Sequence, residues 1–585
     1  MNYPIWEIPA SGLLIAGIAI LHVFISHFAV GGGLFLVLAE RKARRENDEA
    51  MLAYVRSHSR FFILLTLVLG AITGVGIWFT IGLVHPQATS SLILTWVWAW
   101  AIEWTFFFTE IVAAMVYYYG WDRLAPRTHL RVGWIYFWSA WASLFVINGI
   151  LTYMLTPGTW PATRGFVDGF FNPTFWPALA ARTAAAVGLA GIYALFTSAF
   201  AGSAEVRARV ARYAVVGWVL PMAVALPLTL VWYLAAASGA GVPVGGVLGT
   251  SSDSVWAALQ SAFATTQSGS PVAQRAVVTA VVASAVCVAL SIVVLMLRHR
   301  TLGRPLASLI LVAGIVALGG AEWTREVLRK PYVIGQVMFV NGVRLPPPDG
   351  AARPPEAVQA AFGEDRFAID AVNRQGVLQT AGWVRHRAAM AESADDIVNQ
   401  AEQGRQVFRL LCASCHTLDG YLAIRPLVRG RSASALDTTL ARLAAPVDAS
   451  GNAVPWTHPD VRLETWRGRQ MPPFTGTEAE RHALAVYLAM LGGQSADQVR
   501  AEAASGNVGQ QVFDANCAMC HGSDGEWPLS KRAARPAAEF YDLIGKLSAI
   551  NEVMPPFEGS DEERRALAEH LSKLGGSEAT PEGTR

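Results

Sequence analysis

Eight long apolar stretches in the first 330 residues constrain the fold of this chain more than any other feature. Each has about 20 residues with few charges, which is enough to cross the hydrocarbon core of a bilayer as an α-helix. Lipid offers no partner for backbone polar groups, so helices are the expected form. We place the stretches at 11–39, 61–84, 91–118, 133–155, 177–201, 214–237, 276–298 and 305–330.

Composition supports a membrane protein and excludes other classes. Of the 585 residues, 53% are hydrophobic and only 15% are charged, whereas soluble domains have about 25% charged residues. The formal net charge is +2, so no global field favours nucleic acid as a partner. Of five cysteines, four stand in two CxxCH motifs, and Cys287 is interpreted as a small buried hydrophobe in an apolar helix.

The loops between the apolar stretches alternate in charge. Those at His85–Ser91, Thr156–Phe175 and Gly239–Ser270 have almost no Lys or Arg. The positive-inside rule places the basic loops in the cytoplasm and both termini outside it, which predicts a multi-pass protein of the bacterial inner membrane. The first stretch lacks a positive leader and is interpreted as a span, not a cleavable signal. The basic set is Arg41, Lys42, Arg44 and Arg45; Arg123, Arg127 and Arg131; Arg207, Arg209 and Arg212; Arg298, Arg300 and Arg304.

The last apolar stretch ends in a charged junction, from Ala321 to Tyr332. Glu322, Glu326 and Arg329 fall on one helical face there, at i, i+4 and i+7. Charge at membrane depth is costly, so the junction is a candidate cofactor site.

Beyond the junction the chain becomes polar and contains a repeat. Gly404 and Gly509 each stand eight residues before a CxxCH motif, and Met-Pro-Pro-Phe follows each motif. One duplicated domain is therefore predicted, with an insert at about 433–459 in the first copy. The predicted domains are a membrane domain at 1–335, a periplasmic linker at 336–394, and small domains at 395–495 and 496–585.

Each repeat is expected to carry one covalent heme c. CxxCH attaches heme through two thioethers, its His ligates the iron, and a Met as second axial ligand raises the potential. A chance motif or a zinc half-site is the alternative, and His458 is an alternative to Met471 as axial ligand. The proposed heme-binding residues are Cys412, Cys415, His416 and Met471, then Cys517, Cys520, His521 and Met554.

Several ionisable residues lie within the apolar stretches. Glu103 and Glu110 share one face of the third stretch at i and i+7, whereas His22 and His27 lie about 140° apart around the first. Buried His and Glu suit heme iron or proton transfer. Buried Arg suits a heme propionate, with Arg182, Arg275 and Arg329 as candidates. Interhelical hydrogen bonding or snorkelling is the structural alternative.

The residues resemble two known families. The Met-Pro-Pro-Phe context resembles the class I cytochrome c fold. About residues 10 to 335 resemble subunit I of the cytochrome bd oxidases. The matching stretches are Leu21-His22-Val23-Phe24, Gly31-Gly32-Gly33, Ala39-Glu40, Ile72-Thr73-Gly74, Ile102-Glu103, Thr109-Glu110, Gly120-Trp121-Asp122-Arg123-Leu124, Asn148-Gly149, and Glu326 with Arg329-Lys330-Pro331-Tyr332.

The bd resemblance implies an all-α polytopic bundle, here followed by two small all-α cytochrome c domains. It implies that His22 and Glu326 ligate two non-covalent high-spin hemes, one heme b and one heme b or d. It also implies that Glu103 and Glu110 line a proton pathway. A second membrane subunit, membrane lipid and dioxygen are the implied partners.

The departures from the family are as informative as the matches. Arg182-Thr183 stands where the family has a His ligand of its low-spin heme, and Arg275-Ala276-Val277 lacks the Met partner. The loop at about 238–274 is short and lacks the residues that contact quinol in the family. We therefore predict no low-spin b heme and no quinol oxidation.

These patterns predict an oxidase whose own c hemes supply its electrons. The donor would be a soluble or membrane cytochrome or a periplasmic dehydrogenase. The first alternative is an electron-transfer heme subunit that reduces no oxygen, in which His27 or another group closes the iron site. A redox sensor or assembly module is the second alternative.

Overall fold

The computed structural model consists mainly of helices, as predicted. Eight helices are long and apolar enough to cross a membrane, among the residues that the structure describes. We label them α1 (Gly12–Arg45), α2 (Glu49–Val84), α3 (Val97–Tyr119), α4 (Pro126–Tyr153), α5 (Phe175–Ser198), α6 (Ala204–Gly239), α7 (Pro271–Met296) and α8 (Arg304–Arg329). The structure describes residues 11–252, 254–265, 269–296, 303–347, 350–351, 368–381, 396–441, 443–448, 450, 452, 454, 462–465, 471–505, 508–521, 529, 535–550, 554, 556–557 and 559–574.

Some helices extend beyond the apolar stretches that predict them. Helix α2 begins at Glu49 instead of residue 61, because Asp48 caps it by accepting a hydrogen bond from the Met51 amide at 2.9 Å. Helices α2 and α6 each contain a π-helical segment, at Leu64–Gly70 and Val215–Val219. Shorter helices lie between the spans, at Pro86–Thr95, Trp160–Thr163, Phe166–Phe170, Val244–Leu248 and Val255–Ala264.

The core of the membrane domain forms around α1 and α5. A Cβ at Gly31 would lie 1.9 Å from the Ala186 carbonyl oxygen, so these two helices approach each other backbone to backbone. Phe28 stacks on Tyr193 at 3.9 Å between ring centroids. Cys287 is buried, as predicted.

A small hairpin joins the membrane domain to the first soluble domain. Strand β1 (Tyr332–Ile334) pairs antiparallel with β2 (Met338–Phe339) directly after α8. Ile334 and Met338 pack against the membrane domain, in a cluster with Trp96 and Tyr153. Tyr332 and Phe339 pack instead with the core of the first soluble domain. The hairpin therefore has one face in each domain.

The first soluble domain packs around one helical core, which includes Val407, Phe408 and Leu484. Val499, beyond the predicted boundary at residue 495, also belongs to this core. The helices are Asp396–Leu411, Arg425–Val428, Ala433–Ala441, Glu478–Leu491 and Ala496–Ser505, with Ile369–Gln375 and Val377–Thr380 from the predicted linker. Strands β3 (Ala444–Val447) and β4 (Arg462–Thr465) pair antiparallel.

The second soluble domain repeats the central helix crossing of the first. A Cβ at Gly404 would lie 1.9 Å from the Ala483 carbonyl oxygen, and one at Gly509 would lie 2.1 Å from that of Ala566. Both glycines therefore permit the helix before the CxxCH motif to cross the last helix of its domain. The helices of the second domain are Val508–Asn516, Ala518–His521, Ala537–Ile544, Leu547–Ile550 and Asp561–Leu574.

Candidate functional site: a charged helix end beneath a CxxCH motif

His22 is half-buried on α1, and α2 orients its ring. Its Nδ1 lies 3.0 Å from Thr73 Oγ1, which itself donates to the backbone carbonyl of Leu69 at 2.7 Å. Because the Thr73 hydroxyl proton is already used in the bond to Leu69, the His22 Nδ1–H must donate to Thr73 Oγ1. The lone pair of the neutral ring is then on Nε2. This is the tautomer that ligates a metal. A Cβ at Gly74 would lie 3.1 Å from the ring, so glycine leaves the space that the ring occupies.

A buried ion-pair cluster links α5 to α8. Arg182 Nη2 lies 3.6 Å from Glu322 Oε1, and Arg325 Nε donates to Glu322 Oε2 at 2.9 Å. His27 lies within electrostatic reach of Arg182 and Glu322. Its Nδ1–H donates to the Val23 carbonyl at 2.8 Å, so in the neutral imidazole Nε2 carries the lone pair. Glu322 is thus the partner of Arg182, a role that its sequence position alone did not reveal.

Glu326 forms a second charged group one helical turn further along α8. Arg329 Nη2 donates to both of its oxygens, at 2.6 and 2.7 Å, and Lys330 Nζ lies 3.2 Å away. The Glu326 side chain is 30% exposed, so the carboxylate keeps an open side. Arg329 is buried, and its Nε has no hydrogen-bond partner among the residues that the structure describes.

Arg325 Nη1 is likewise buried, and within the described part of the chain it has no hydrogen-bond partner. Two orphaned guanidinium nitrogens beside an accessible carboxylate fit a cofactor that carries carboxylates of its own, as heme does.

His85 is a residue of this site that sequence reasoning missed. It follows the end of α2 and lies within electrostatic reach of Lys330, Arg329 and Glu326. Burial, together with the positive charges of Lys330 and Arg329, lowers the pKa of His85 to about 4. Its imidazole is therefore neutral near pH 7. His85 stands in a loop with almost no other ionisable residue, and this isolation could have marked it as a candidate site residue in the sequence.

The two predicted carboxylates of α3 each meet a hydroxyl of α4. Ser143 Oγ donates to Glu103 Oε1 at 2.8 Å, and Tyr136 Oη lies 2.9 Å from Glu110 Oε1. Tyr136 Oη also lies 3.0 Å from the Ala29 carbonyl oxygen. A single hydroxyl proton cannot serve both acceptors, so a protonated Glu110 that donates to Tyr136 satisfies both bonds at once.

Arg275 does not join this group. Its side chain is exposed at the first turn of α7, whereas the neighbouring Gln274 is buried. His458 lies outside the residues that the structure describes.

The first CxxCH motif follows the helix Asp396–Leu411, and its His has a fixed tautomer. His416 Nδ1–H donates to the Leu422 carbonyl at 2.8 Å, which leaves Nε2 as the iron-ligating nitrogen. Cys412 and Cys415 are half-buried. Met471 is half-buried and precedes the helix Glu478–Leu491, whose start is fixed by a Thr477–Glu480 capping box. These residues fit a heme c.

The second CxxCH motif lies in the equivalent place in its domain. Cys517 and Cys412 make the same backbone bond, donating to Phe513 and Phe408 respectively, both at 2.8 Å. His521 and Met554 are half-buried. The side chain of Cys520 lies outside the described residues.

The first motif lies directly against the membrane domain. Cys415 packs on the cluster that contains Trp96 and Ile334. The Tyr421 hydroxyl lies close to the Trp323 side chain on α8. A candidate heme site in the soluble part and the charged end of α8 are therefore neighbours.

Three family models match parts of this chain. Residues 11–271 match the family model of cytochrome bd terminal oxidase subunit I. Residues 401–492 match that of cytochrome c, and 504–571 match cytochrome c oxidase, cbb3-type, subunit III. The chain joins a cytochrome bd oxidase subunit I domain to two cytochrome c-type domains.

Among solved structures, the bd oxidase of Geobacillus thermodenitrificans is 16% identical. The match covers 66% of this chain and 98% of that one, with a TM-score of 0.44. The comparison with curated proteins found no match.

The bd oxidase subunit I resemblance and the predicted fold class are thus confirmed. The cytochrome c-type domains imply covalent heme c, and the bd domain implies further heme, a multi-pass membrane location and oxidoreductase chemistry. The predicted domain boundaries and the roles of individual site residues stay predictions.

Proposed function

We propose that this protein is a membrane-bound respiratory terminal oxidase of the bd superfamily that takes its electrons through its own c-type hemes and not from quinol. The observation that carries the proposal is the contact between the first CxxCH motif and the charged end of α8. Cys415 packs on the membrane domain, and the Tyr421 hydroxyl lies close to Trp323 of α8.

His416 with Met471 and His521 with Met554 would hold the two heme c groups, with His22 and Glu326 holding the non-covalent pair. When bound, these hemes supply electron transfer and the reduction of dioxygen. The role of the protein residues is to orient the heme ligands and to neutralise the heme propionates. Thr73 fixes the His22 tautomer, and the buried guanidinium groups of Arg329 and Arg325 would bind a propionate.

Reducing one dioxygen to two waters consumes four electrons and four protons. Glu103 with Ser143 and Glu110 with Tyr136 are the buried groups that we assign to proton delivery. A carboxyl group paired with a hydroxyl can hold a proton and exchange it without leaving an unpaired buried charge.

The Arg182–Glu322 pair supports the prediction that the low-spin b heme is absent. Arg182 stands at the position of the family's His ligand, and its guanidinium is already paired with Glu322. An arginine cannot serve as a neutral nitrogen ligand, because it stays protonated.

The proposed location is the bacterial inner membrane, with both termini and the cytochrome domains in the periplasm. Basic loops on the opposite side support this orientation. Trp98 and Trp104 on α3 are 73% and 64% exposed, which supports a lipid or second-subunit environment for that face. A soluble or membrane cytochrome, or a periplasmic dehydrogenase, would donate the electrons.

Two measurements on the full chain test the proposal. We expect two covalent and two non-covalent hemes per chain, and oxygen uptake with reduced cytochrome c but not with quinol. A third non-covalent heme would contradict the loss of the low-spin site. Oxygen uptake with quinol would contradict the assigned donor.

A matched pair of variants tests the electron route. The double substitution Cys412→Ala and Cys415→Ala should abolish cytochrome c-driven oxygen uptake and leave the membrane hemes in place. Met490→Leu, a conservative change in the same domain that leaves the CxxCH motif intact, is the control. Unchanged uptake in the double variant refutes the route.

The electron-transfer subunit that reduces no oxygen is the second candidate. The buried His27, whose Nε2 keeps its lone pair, favours it, since a second His ligand would close an iron. Carbon monoxide separates the two functions: a spectral change of the reduced protein supports the oxidase, and no change supports the alternative.

A further inference from the structure

Helices α3 and α4 carry polar side chains in exact antiparallel register. Glu103 is hydrogen-bonded to Ser143 and Glu110 to Tyr136. The Tyr117 and His129 rings pack with their centroids 4.2 Å apart. Each step is seven residues on both helices, or about 10 Å. The third pair lies where α3 ends and α4 begins, on the side of the bundle that carries the basic loops. The proposed proton route uses only the first two pairs.

Glu40 of α1 contacts both members of the third pair, and its side chain is fully buried. Glu40 accepts hydrogen bonds from the Tyr117 hydroxyl at 2.8 Å and from Arg44 Nε at 2.7 Å. His129 Nδ1 lies 2.9 Å from both carboxylate oxygens, and the His129 ring is buried as well. The Arg44 side chain is 24% exposed, so Glu40 lies about one helical turn from water.

The hydrogen bonds of His129 fix the number of protons at this site. Nε2 lies 2.8 Å from the Tyr117 carbonyl oxygen, which can only accept, so Nε2 carries a proton. Nδ1 faces the Glu40 carboxyl group, and that bond also needs a proton, on the imidazole or on Glu40. The pair therefore holds one proton more than a carboxylate beside a neutral imidazole.

We propose that Glu40 and His129 form a proton-holding site at the basic-loop end of the route to Glu110 and Glu103. This inference rests on the proposed function. A proton from water occupies the Glu40–His129 bond and then passes to the Tyr136–Glu110 pair, and a second proton from water replaces it, so the charge of the site is unchanged. The interval of about 10 Å between the pairs exceeds one hydrogen bond, so transfer needs intervening water. Ala113 and Ala114 are the buried α3 side chains in that interval.

A purely structural tie between α1, α3 and α4 is the competing explanation. It predicts that Glu40→Gln and His129→Gln lower thermal stability and leave the rate of proton transfer unchanged. The proposal predicts that proton transfer slows by roughly tenfold or more in both variants, while heme content stays at the wild-type level. Glu46→Gln, which removes an exposed carboxylate near the same end of the bundle, is the matched control and should transfer protons at the wild-type rate.

The test measures proton uptake with a pH-indicator dye when the full chain, in detergent, is reduced without oxygen. Wild-type uptake rates in both Glu40→Gln and His129→Gln overturn the inference. If either variant fails to fold, reduced-minus-oxidised infrared spectra of the wild-type protein with ¹⁵N-labelled histidine decide. A redox-linked imidazole band that is absent in His129→Asn supports the site, and an unchanged band refutes it.

Because this readout needs no dioxygen, it separates the two proposals. If the wild-type protein reduces no oxygen but proton uptake is slowed in the variants, the oxidase proposal is refuted and the proton site is supported. Oxygen reduction with unchanged proton uptake in both variants refutes the proton site alone.

Discussion

Arg182 of α5 and Glu322 of α8 form a buried ion pair, with 3.6 Å between Nη2 and Oε1. Their side chains are 10% and 16% exposed, and Arg325 bonds the second oxygen of Glu322 at 2.9 Å. One carboxylate therefore holds two guanidinium groups together within the membrane domain. Removing the carboxylate would leave two like charges facing each other in a low-dielectric site.

Glu322→Gln should therefore destabilise the membrane domain by about 3–5 kcal/mol, the usual cost of breaking a buried pair from one side. Thermal unfolding of the detergent-solubilised chain measures this as a lower Tm. The double variant Arg182→Met with Glu322→Leu removes both charges and should recover most of the loss. A Glu322→Gln protein with the wild-type Tm would show that the pair contributes nothing to stability.

The number of spans was predictable from the sequence, but this pair was not. Runs of apolar residues specify membrane helices because lipid imposes length and polarity on each segment separately. The choice of Glu322 as the partner of Arg182 depends on how two helices far apart in the sequence pack. Periodicity within either helix carries no such information.

The CxxCH and Met-Pro-Pro-Phe repeats likewise predicted two cytochrome domains, because that chemistry is local in sequence. The position of the first motif against α8 follows from the hairpin of β1 and β2. Its two faces belong to different domains, and the alternation of apolar residues in so short a segment does not say which domain each face meets. His85 was missed because its neighbours Glu326 and Lys330 come from a distant part of the chain.

The hairpin provides a second test, since Ile334 packs on the membrane domain and Phe339 on the first cytochrome domain. Both side chains are fully buried, so either change to Ala should cost about 2–5 kcal/mol. Hydrogen exchange should increase at Trp96 and Tyr153 in Ile334→Ala, and at Val407 and Phe408 in Phe339→Ala.

Gln336→Asn is the control for these changes. Gln336 is an exposed residue in the hairpin turn with φ of 54°, which Asn tolerates well. Its exchange pattern should match the wild type. Identical exchange in the Ile334 and Phe339 variants would contradict a two-faced hairpin.

Asp514 makes the stability of the cytochrome pair depend on pH. It lies on the helix Val508–Asn516, within electrostatic reach of Ser432, Arg431 and Glu502. Burial, reinforced by the negative charge of Glu502, raises the pKa of Asp514 from 3.8 to about 6, against the opposing effects of Ser432 and Arg431. The folded chain therefore binds this proton more tightly than the unfolded chain does.

The stabilisation from Asp514 is fully present below pH 4 and is lost as the pH rises through 6. Asp514→Asn should consequently stabilise the domain at pH 7.5 by about 1–2 kcal/mol, a figure reduced for partial solvent exposure, and have little effect at pH 4. Thermal melts of both proteins between pH 4 and 8 measure this difference. A gain that is the same at every pH would contradict the assigned pKa.

The Tyr136 hydroxyl, placed between Glu110 and the Ala29 carbonyl, makes the strongest prediction about turnover. Glu110→Gln keeps a polar group of the same shape but cannot exchange a proton, so oxygen uptake should fall by about two orders of magnitude. Tyr136→Phe removes the partner and leaves the carboxyl group, so its loss should be smaller. Thr105→Val, which alters only an exposed hydroxyl bonded to the Ala101 carbonyl of the same helix, is the control. Heme content must stay at the wild-type level in all three proteins. If Glu110→Gln turns over at the wild-type rate with its hemes intact, protons reach the site without Glu110.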